Sequence, residues 1–113
     1  MKRISSKRAK ATQISNKVRR VVYERDNGLC VVCGRQGFPE AHYVPRSAGG
    51  LGIEQNIVCL CRDCHTKFDF GDGETCQLMG EAIKAYLQSK YPDWNEDDLV
   101  YRKYEDVCRW NVK

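Results

Sequence analysis

Residues 30–69 read CVVCGRQGFPEAHYVPRSAGGLGIEQNIVCLCRDCHTKFD, and this stretch contains two CxxC pairs, Cys30 with Cys33 and Cys61 with Cys64. Two residues between the members of a pair allow a tight turn to direct both sulfurs at one ion, at a Zn–S distance of about 2.3 Å. Four thiolates are the ligand set of a closed structural zinc site. The spacing therefore predicts one structural Zn²⁺ bound by both pairs.

The segment between the two pairs is 27 residues long, more than the ~15 to 20 of a simple zinc ribbon. Its β-branched and aromatic runs predict strands at 38–44 and 56–60, joined by a glycine-rich loop at 45–55. A helix is predicted at 61–70, beginning inside the second pair, and Gly71-Asp72-Gly73 is expected to end it. The pattern thus predicts a ββα unit whose two ends are held together by zinc.

Helices are predicted on either side of this unit. Valines spaced three and four residues apart predict a helix over 15–26, and an apolar stripe predicts another over 81–91. Asn95 is typical of the N-terminus of a third helix. We therefore expect an α+β fold with a zinc-stapled core at 17–73 and a helical extension at 74–113 that packs on it.

Positive charge is concentrated at the start of the chain. The first 20 residues hold eight Lys or Arg and no acidic residue, whereas the remainder carries eleven basic against fifteen acidic residues, giving the whole chain a net charge of +4. A basic arm on a mildly acidic domain is expected where a tail contacts polyphosphate, because each contact releases counterions. We expect residues 1–16 to be a disordered tail of this kind, with a solvated terminus that binds nothing as the alternative.

Seven cysteines in 113 residues are compatible with disulfides or with metal binding. The start MKRISSKRAKAT lacks the apolar region of a signal peptide, and no run approaches the ~18 to 20 apolar residues of a membrane span. We therefore expect a cytoplasmic protein, in whose reducing surroundings zinc binding is favoured over disulfides. Cys59, Cys76 and Cys108 are then expected to be small buried apolar residues, although the sequence CLCRDC would let Cys59 compete with Cys61.

Six aromatic residues in the last third of the chain have two interpretations. Their helical spacing favours packing in the core, and stacking on nucleic-acid bases is the alternative. These residues are Tyr86, Tyr91, Trp94, Tyr101, Tyr104 and Trp110.

Three further residues, His42, Asn56 and His65, lie between or just after the cysteine pairs and complete a composite pattern. This pattern resembles the HNH endonuclease family of the His-Me finger (ββα-metal) class, whose core reads roughly CxxC, [DEH]HxxP, a GG loop, Asn-[IL]-V and LCxxCH. Here these elements are CVVC, AHYVP, AGG, NIV and LCRDCH, and the resemblance covers residues 18–70. It implies a metal-dependent endonuclease, of a size common in phages and mobile elements, that nicks or cuts duplex DNA and leaves 5′-phosphate and 3′-hydroxyl ends.

The resemblance also implies residue roles, and Pro45 fixes the register. His42, three positions before that proline, corresponds to the general base; an imidazole with a pKa of about 6.5 can accept a proton from water at neutral pH. Asn56 corresponds to the asparagine that holds the loop and orients the base. His65 corresponds to a ligand of the catalytic divalent cation, which would be Mg²⁺ or another ion such as Mn²⁺ or Ni²⁺.

Two more residues are assigned by their positions relative to these. Asp69 lies four residues after His65, on the same face of the predicted helix, where some family members carry another metal-binding histidine, and we expect it to be a second ligand of the catalytic cation. Arg46 directly follows Pro45 and is expected to contact the scissile phosphate; a solvated loop charge is the alternative. A cation at this site would neutralise the charge that develops on the leaving 3′ oxygen.

The sequence departs from the family pattern at Ala41, where members commonly carry an Asp or His ligand. With only His65 and Asp69 as protein ligands, the ion would retain more water and DNA oxygens. Glu40 could substitute, although adjacent residues of a strand face opposite sides. Two other interpretations therefore stay open: a zinc-stapled nucleic-acid-binding module without catalysis, and an adaptor for a phage packaging or recombination machine that uses the C-terminal helices.

Overall fold

The computed structural model describes residues 7–102, in which two short strands form one sheet surrounded by helices. The elements in chain order are α1 (Lys7–Thr12), α2 (Asn16–Arg25), β1 (Phe38–His42), β2 (Ile57–Leu60), α3 (Arg62–Phe70) and α4 (Gly73–Lys90). Short 3-10 helices occur at Arg46–Ala48 and Glu96–Leu99. The predicted α+β class is confirmed, and so is the order of strand, loop, strand and helix between and after the cysteine pairs.

The two strands pair antiparallel, with Ala41 opposite Val58 and His42 opposite Ile57. β2 is buried along its whole length, in agreement with its uninterrupted apolar sequence. β1 is buried only at Ala41, which is 1% exposed and packs in the core. Because side chains alternate along a strand, Glu40 and His42 are directed away from that core.

Three of the four paired cysteines belong to the main hydrophobic core. This core joins both strands to α4, and its buried members are Cys30, Ala41, Val58, Leu60, Cys61, Cys64, Met79, Ile83 and Leu87. A second cluster, formed by Ile14, Val22, Ile57 and Cys59, packs α2 against β2. A core of this size supplies limited stability by itself. A site inside it that can bind a metal ion is therefore important for the stability of the fold.

A buried ion pair links the end of α2 to α4. Arg25 Nε donates to Asp26 Oδ1 at 2.7 Å, and the same carboxylate accepts from the Tyr86 hydroxyl. The guanidinium of Arg25 lies 5.6 Å from the ring centroid of Tyr86 and 5.8 Å from that of Tyr91. These tyrosines are thus occupied by contacts within the protein.

The segment after α4 also packs on the core unit. Trp94 Nε1 donates to the backbone carbonyl of Gln55 at 2.8 Å, which fixes the chain after the helix end. Asn95 accepts from the amide of Asp97 at 2.9 Å, so it caps a single 3-10 turn rather than a longer helix. The predicted aromatic positions Tyr104 and Trp110, like Cys108, lie outside the described residues.

The start of α4 differs from the sequence prediction. The helix begins at Gly73 and not at residue 81, because Asp72 caps it by accepting from the amide of Thr75 at 2.7 Å. Gly71-Asp72-Gly73 is therefore a short junction between two helices. This places α4 directly against α3.

The N-terminal segment is a second correction. Residues 1–16 were expected to be a disordered tail, but Lys7–Thr12 form α1, and Thr12 and Ile14 are buried. The Gly52 amide donates to the Ala11 carbonyl at 2.9 Å, which connects this segment to the loop between the strands.

Within residues 7–102, no helix combines the length and apolarity that crossing a membrane requires.

Candidate functional site

The four paired cysteines converge as the spacing predicted. Their sulfur atoms all lie within 4.8 Å of one another, and Cys33 Sγ and Cys61 Sγ are 3.6 Å apart. A tetrahedral ion with Zn–S distances of about 2.3 Å requires sulfurs roughly 3.8 Å apart. The amides of Cys33 and Cys64 donate to the first sulfur of their own pair at 3.4 Å. The donor set and its spacing therefore fit a structural zinc ion.

The thiol chemistry of the cluster also favours a bound cation. Burial alone would raise the pKa of Cys30, but hydrogen bonds from the backbone of Cys33, Cys61 and Val32 lower it to about 7. Burial and the neighbouring thiols raise the pKa of Cys64. One thiolate is thus readily available, and a divalent cation would stabilise the ionised form of the others.

The spare cysteines behave differently from one another. Cys59 is fully buried in the second core cluster, and burial raises its pKa to about 12, so it does not compete with Cys61. Cys76 is partly exposed and its Sγ donates to the Phe68 carbonyl at 3.2 Å, near the end of α3. It satisfies a terminal helix carbonyl rather than acting as a buried apolar residue.

The cysteine cluster determines where α3 begins. Cys61 is the N-cap residue of this helix, and its sulfur accepts from the Cys64 amide. His65 consequently lies on the first turn and Asp69 one turn later, and His65 Nε2 is 3.3 Å from Asp69 Oδ2. Both side chains are partly exposed. The predicted pair therefore shares one helix face.

This helix face forms one wall of a cleft of about 740 Å³. His42 and Glu40 from β1 line it, and so does Arg46 from the loop between the strands. The charged and titratable residues of the cleft are Arg19, Glu40, His42, Arg46, His65 and Asp69. Four of the five residues to which sequence analysis assigned catalytic or catalytic-metal roles thus line a single cavity.

His42 is half-buried, with one ring nitrogen engaged. Its Nε2 is 2.9 Å from the Thr12 carbonyl oxygen, which can only accept, so Nε2 carries the proton and Nδ1 is left as the acceptor. Burial lowers the pKa of His42, as do the positive charges of Arg46 and His65, while the bond to Thr12 and the charge of Asp69 oppose this. The imidazole is therefore predominantly neutral at pH 7.

Asn56 lies beneath the cleft rather than in it. Its fully buried side chain accepts from the Val44 amide at 2.8 Å and donates to the carbonyls of Val44 at 3.1 Å and Leu51 at 2.8 Å. These bonds fix both ends of the loop that carries Arg46. Gly50 packs so closely on the Val44 carbonyl that a Cβ there would collide with it. This explains the second glycine of the motif's pair.

Two residues of the site, Thr12 and Arg19, do not belong to any motif in the sequence. Thr12 contributes through its backbone carbonyl, a group that every residue type carries. Arg19 of α2 lines the cleft, and its Nε is shielded from solvent without a hydrogen-bond partner among the described residues. Arg46 Nε, by contrast, is 3.4 Å from Thr12 Oγ1. The acid-free run of charges in residues 1–20 was the feature that could have indicated Arg19.

The positions of Ala41 and Glu40 bear on metal binding. Ala41 faces the core, whereas Glu40 is exposed and lines the cleft. Among residues 7–102, the only group of three or more metal-ligating side chains that already converge is the cysteine cluster. An ion in the cleft would accordingly begin with His65 and Asp69, and water or substrate oxygens would complete its coordination.

Comparison with known proteins agrees with this geometry. Residues 30–68 match the family model described as HNH endonuclease. No curated protein matches the sequence significantly. The matched residues run from Cys30, the first cysteine of the cluster, through both strands to the helix that carries His65. Nucleic acids are the substrates that such a nuclease domain implies. This match, together with a four-cysteine site that fits structural zinc, supports an HNH endonuclease segment at residues 30–68.

Proposed function

We propose that this protein is a metal-dependent DNA endonuclease that hydrolyses phosphodiester bonds in the cleft between β1 and α3. The observation that carries the proposal is the position of His42. Its Nδ1 is free because Nε2 donates to the Thr12 carbonyl, and its ring lines the same cleft as the His65 and Asp69 pair. A base and a two-ligand metal site therefore face one substrate position.

In the proposed reaction, Nδ1 of His42 takes a proton from water, and the water oxygen bonds to phosphorus as the bond to the 3′ oxygen breaks. The products are a 5′-phosphate and, after protonation, a 3′-hydroxyl. A divalent cation at His65 and Asp69 supplies, when bound, Lewis-acid neutralisation of the leaving oxygen. A mixed imidazole and carboxylate donor set accommodates Mg²⁺, Mn²⁺ or Ni²⁺.

The remaining residues of the cleft bind and position the substrate in this proposal. Arg46 and Arg19 hold phosphate oxygens by charge-assisted hydrogen bonds. Glu40 lines the cleft from β1 and would supply a third ligand to the cation when substrate is bound. Asn56 keeps the loop that carries Arg46 in place through its three buried hydrogen bonds.

The alternative function is a zinc-stapled nucleic-acid-binding module without catalysis. The observation that favours it is Ala41, which occupies the usual ligand position and is buried in the core. In that case the basic residues of the cleft and of the N-terminus would bind DNA, and His42 would have only a structural role.

A plasmid assay separates the two functions. Supercoiled DNA is expected to be nicked or linearised with Mg²⁺, Mn²⁺ or Ni²⁺, to stay intact with EDTA, and to stay intact with the His42→Ala protein. DNA binding by His42→Ala, measured by fluorescence anisotropy, should equal that of the unaltered protein. Equal binding without cleavage by either protein under any of these metals would establish the binding module instead.

A further inference from the structure

We infer that Phe70 stacks on a nucleobase next to the scissile phosphate, so that the preferred substrate is DNA in which that base can leave the helical stack. The inference rests on the proposed function, because it takes the cleft to be the site where DNA binds. It assigns a substrate-positioning role to a residue that neither the motif nor the metal chemistry uses.

The exposure of Phe70 is the first observation. Its side chain is 84% exposed, the highest value among the large hydrophobic residues that the structure describes as exposed. Single exposed apolar residues are common on protein surfaces, so exposure alone carries no conclusion. Phe70, however, also lines the cleft, one residue after Asp69.

The geometry of α3 separates Phe70 from the core. Phe68 packs against the main hydrophobic core, whereas Phe70 is two residues further along, about 200° around the helix axis. The helix therefore directs one phenylalanine towards α4 and the other towards the cleft. Core packing needs only the first of them, and the second is left available to a ligand.

The charges around the cleft indicate what the ligand is. Arg19 and Arg46 line the cleft together with Phe70, and the two carboxylates of the lining, Glu40 and Asp69, are the proposed ligands of the divalent cation. A ligand that contacts both arginines and Phe70 therefore combines anionic groups with a flat apolar surface. A nucleic-acid strand has this combination, because each phosphate is flanked by bases. Aromatic stacking on an exposed base contributes about 1–3 kcal/mol and tolerates any sequence.

A stacked duplex buries both faces of each base, so contact with Phe70 requires local unstacking. Phenylalanine is among the residues that proteins insert between base steps for this purpose. Unstacking costs least at flexible pyrimidine–purine steps and next to gaps or single-stranded segments. We therefore expect tighter binding to a gapped duplex than to an intact duplex of the same sequence.

The test measures binding and not cleavage, so that it remains informative if the enzyme proves inactive. The full-length His42→Ala protein is titrated onto a gapped duplex with 2-aminopurine at successive positions beside the gap, without added divalent cation and without chelator, so that the structural zinc is retained. Phe70→Ala is expected to weaken binding by about 5- to 150-fold and to abolish the 2-aminopurine emission change at one position. Phe70→Trp is expected to retain both.

Leu78→Ala is the matched control, because Leu78 is also a large apolar side chain, is 60% exposed and belongs to α4, away from the cleft. It should leave affinity and emission unchanged. The inference is overturned if Phe70→Ala binds as tightly as its parent, or if Leu78→Ala loses as much affinity.

A protein partner for Phe70 would give a different result. If sedimentation shows a self-association that Phe70→Ala abolishes while DNA binding is unaffected, the residue is an interface between copies and the stacking role is wrong. If the His42→Ala protein binds no DNA at all, the proposed function fails together with the inference. Normal DNA binding that does not depend on Phe70 contradicts the inference alone.

Discussion

At the residue scale, the cleft contains an imidazole in a defined protonation state. Because a carbonyl oxygen can only accept, the contact of His42 with Thr12 leaves Nδ1 unprotonated in the neutral ring. Burial and the positive charges of Arg46 and His65 lower the pKa of His42 by more than the bond to Thr12 and the charge of Asp69 raise it, so the net shift of this pKa is downwards. The environment thus maintains a base at neutral pH.

The pH dependence of cleavage follows from this shift. Only neutral His42 accepts a proton, so the rate should fall as pH falls through its pKa, and the midpoint should lie below the ordinary histidine value of about 6.5. The measurement is single-turnover cleavage from pH 5 to 8 at saturating metal. A midpoint above that value would contradict the assigned environment of His42.

Glu40 gives a second prediction at this scale. If its carboxylate completes the ion's coordination when DNA is bound, Glu40→Gln should weaken Mn²⁺ binding to the DNA complex by about 10- to 100-fold and leave Mn²⁺-free DNA binding unchanged. Electron paramagnetic resonance of free Mn²⁺ measures the first quantity and anisotropy the second. Glu24→Gln, on the exposed surface of α2 and outside the cleft lining, is the control. Equal Mn²⁺ affinity for both variants would remove Glu40 from the site.

At the element scale, local signals in the sequence predicted the structure well where they act over a few residues. The CxxC turns, the apolar run of β2 and the capping position of α3 all depend on neighbouring residues. Asp72 shows the limit of such reading, because Gly71-Asp72-Gly73 indicates a helix end, yet Asp72 also caps the helix that follows. This sequence is compatible both with the end of one helix and with the start of the next. Only the packing of α4 on α3 and on the core decides where α4 begins.

The zinc site should therefore control the position of α3. Removing the ion with a strong chelator, or replacing Cys61 by Ser, is expected to abolish cooperative unfolding, since metal affinity in such sites supplies about 10–16 kcal/mol towards folding. Circular dichroism and zinc content per chain measure the effect. Cys76→Ala, outside the sulfur cluster, should keep one zinc and a cooperative transition. A metal-free protein that stays folded and active would show that the cluster is dispensable.

At the scale of the whole molecule, the sequence could not predict that the N-terminal segment contributes to the candidate site. The basic composition of residues 1–16 indicated a disordered arm, and the contacts that hold it are long-range and use backbone carbonyls. Arg8 donates to the carbonyls of Arg46 and Ser47 at 3.2 and 3.0 Å, and His42 donates to that of Thr12. Because every residue has a backbone carbonyl, the sequence does not indicate which carbonyl accepts a given hydrogen bond. Only the folded chain reveals these contacts.

Two truncations separate the electrostatic and positioning contributions of this segment. Removing residues 1–6 deletes two positive charges, Lys2 and Arg3, and should weaken DNA binding for all sequences and reduce the salt slope by up to about 2. Cleavage of DNA that is already bound should be unchanged. Removing residues 1–12 also deletes the Thr12 carbonyl, so that Nε2 of His42 loses its acceptor, and cleavage of bound DNA should fall by about 100-fold.

Single-turnover cleavage at saturating protein isolates the chemical step from binding, and zinc content shows whether the truncated proteins fold. The control is the Lys2→Gln, Arg3→Gln double variant, which should reproduce the binding defect of the shorter truncation without any loss of rate. If the protein lacking residues 1–12 binds zinc and cuts bound DNA at the full rate, His42 does not need Thr12 as its acceptor. The tail would then contribute charge alone, because a base held only by β1 would suffice for proton transfer.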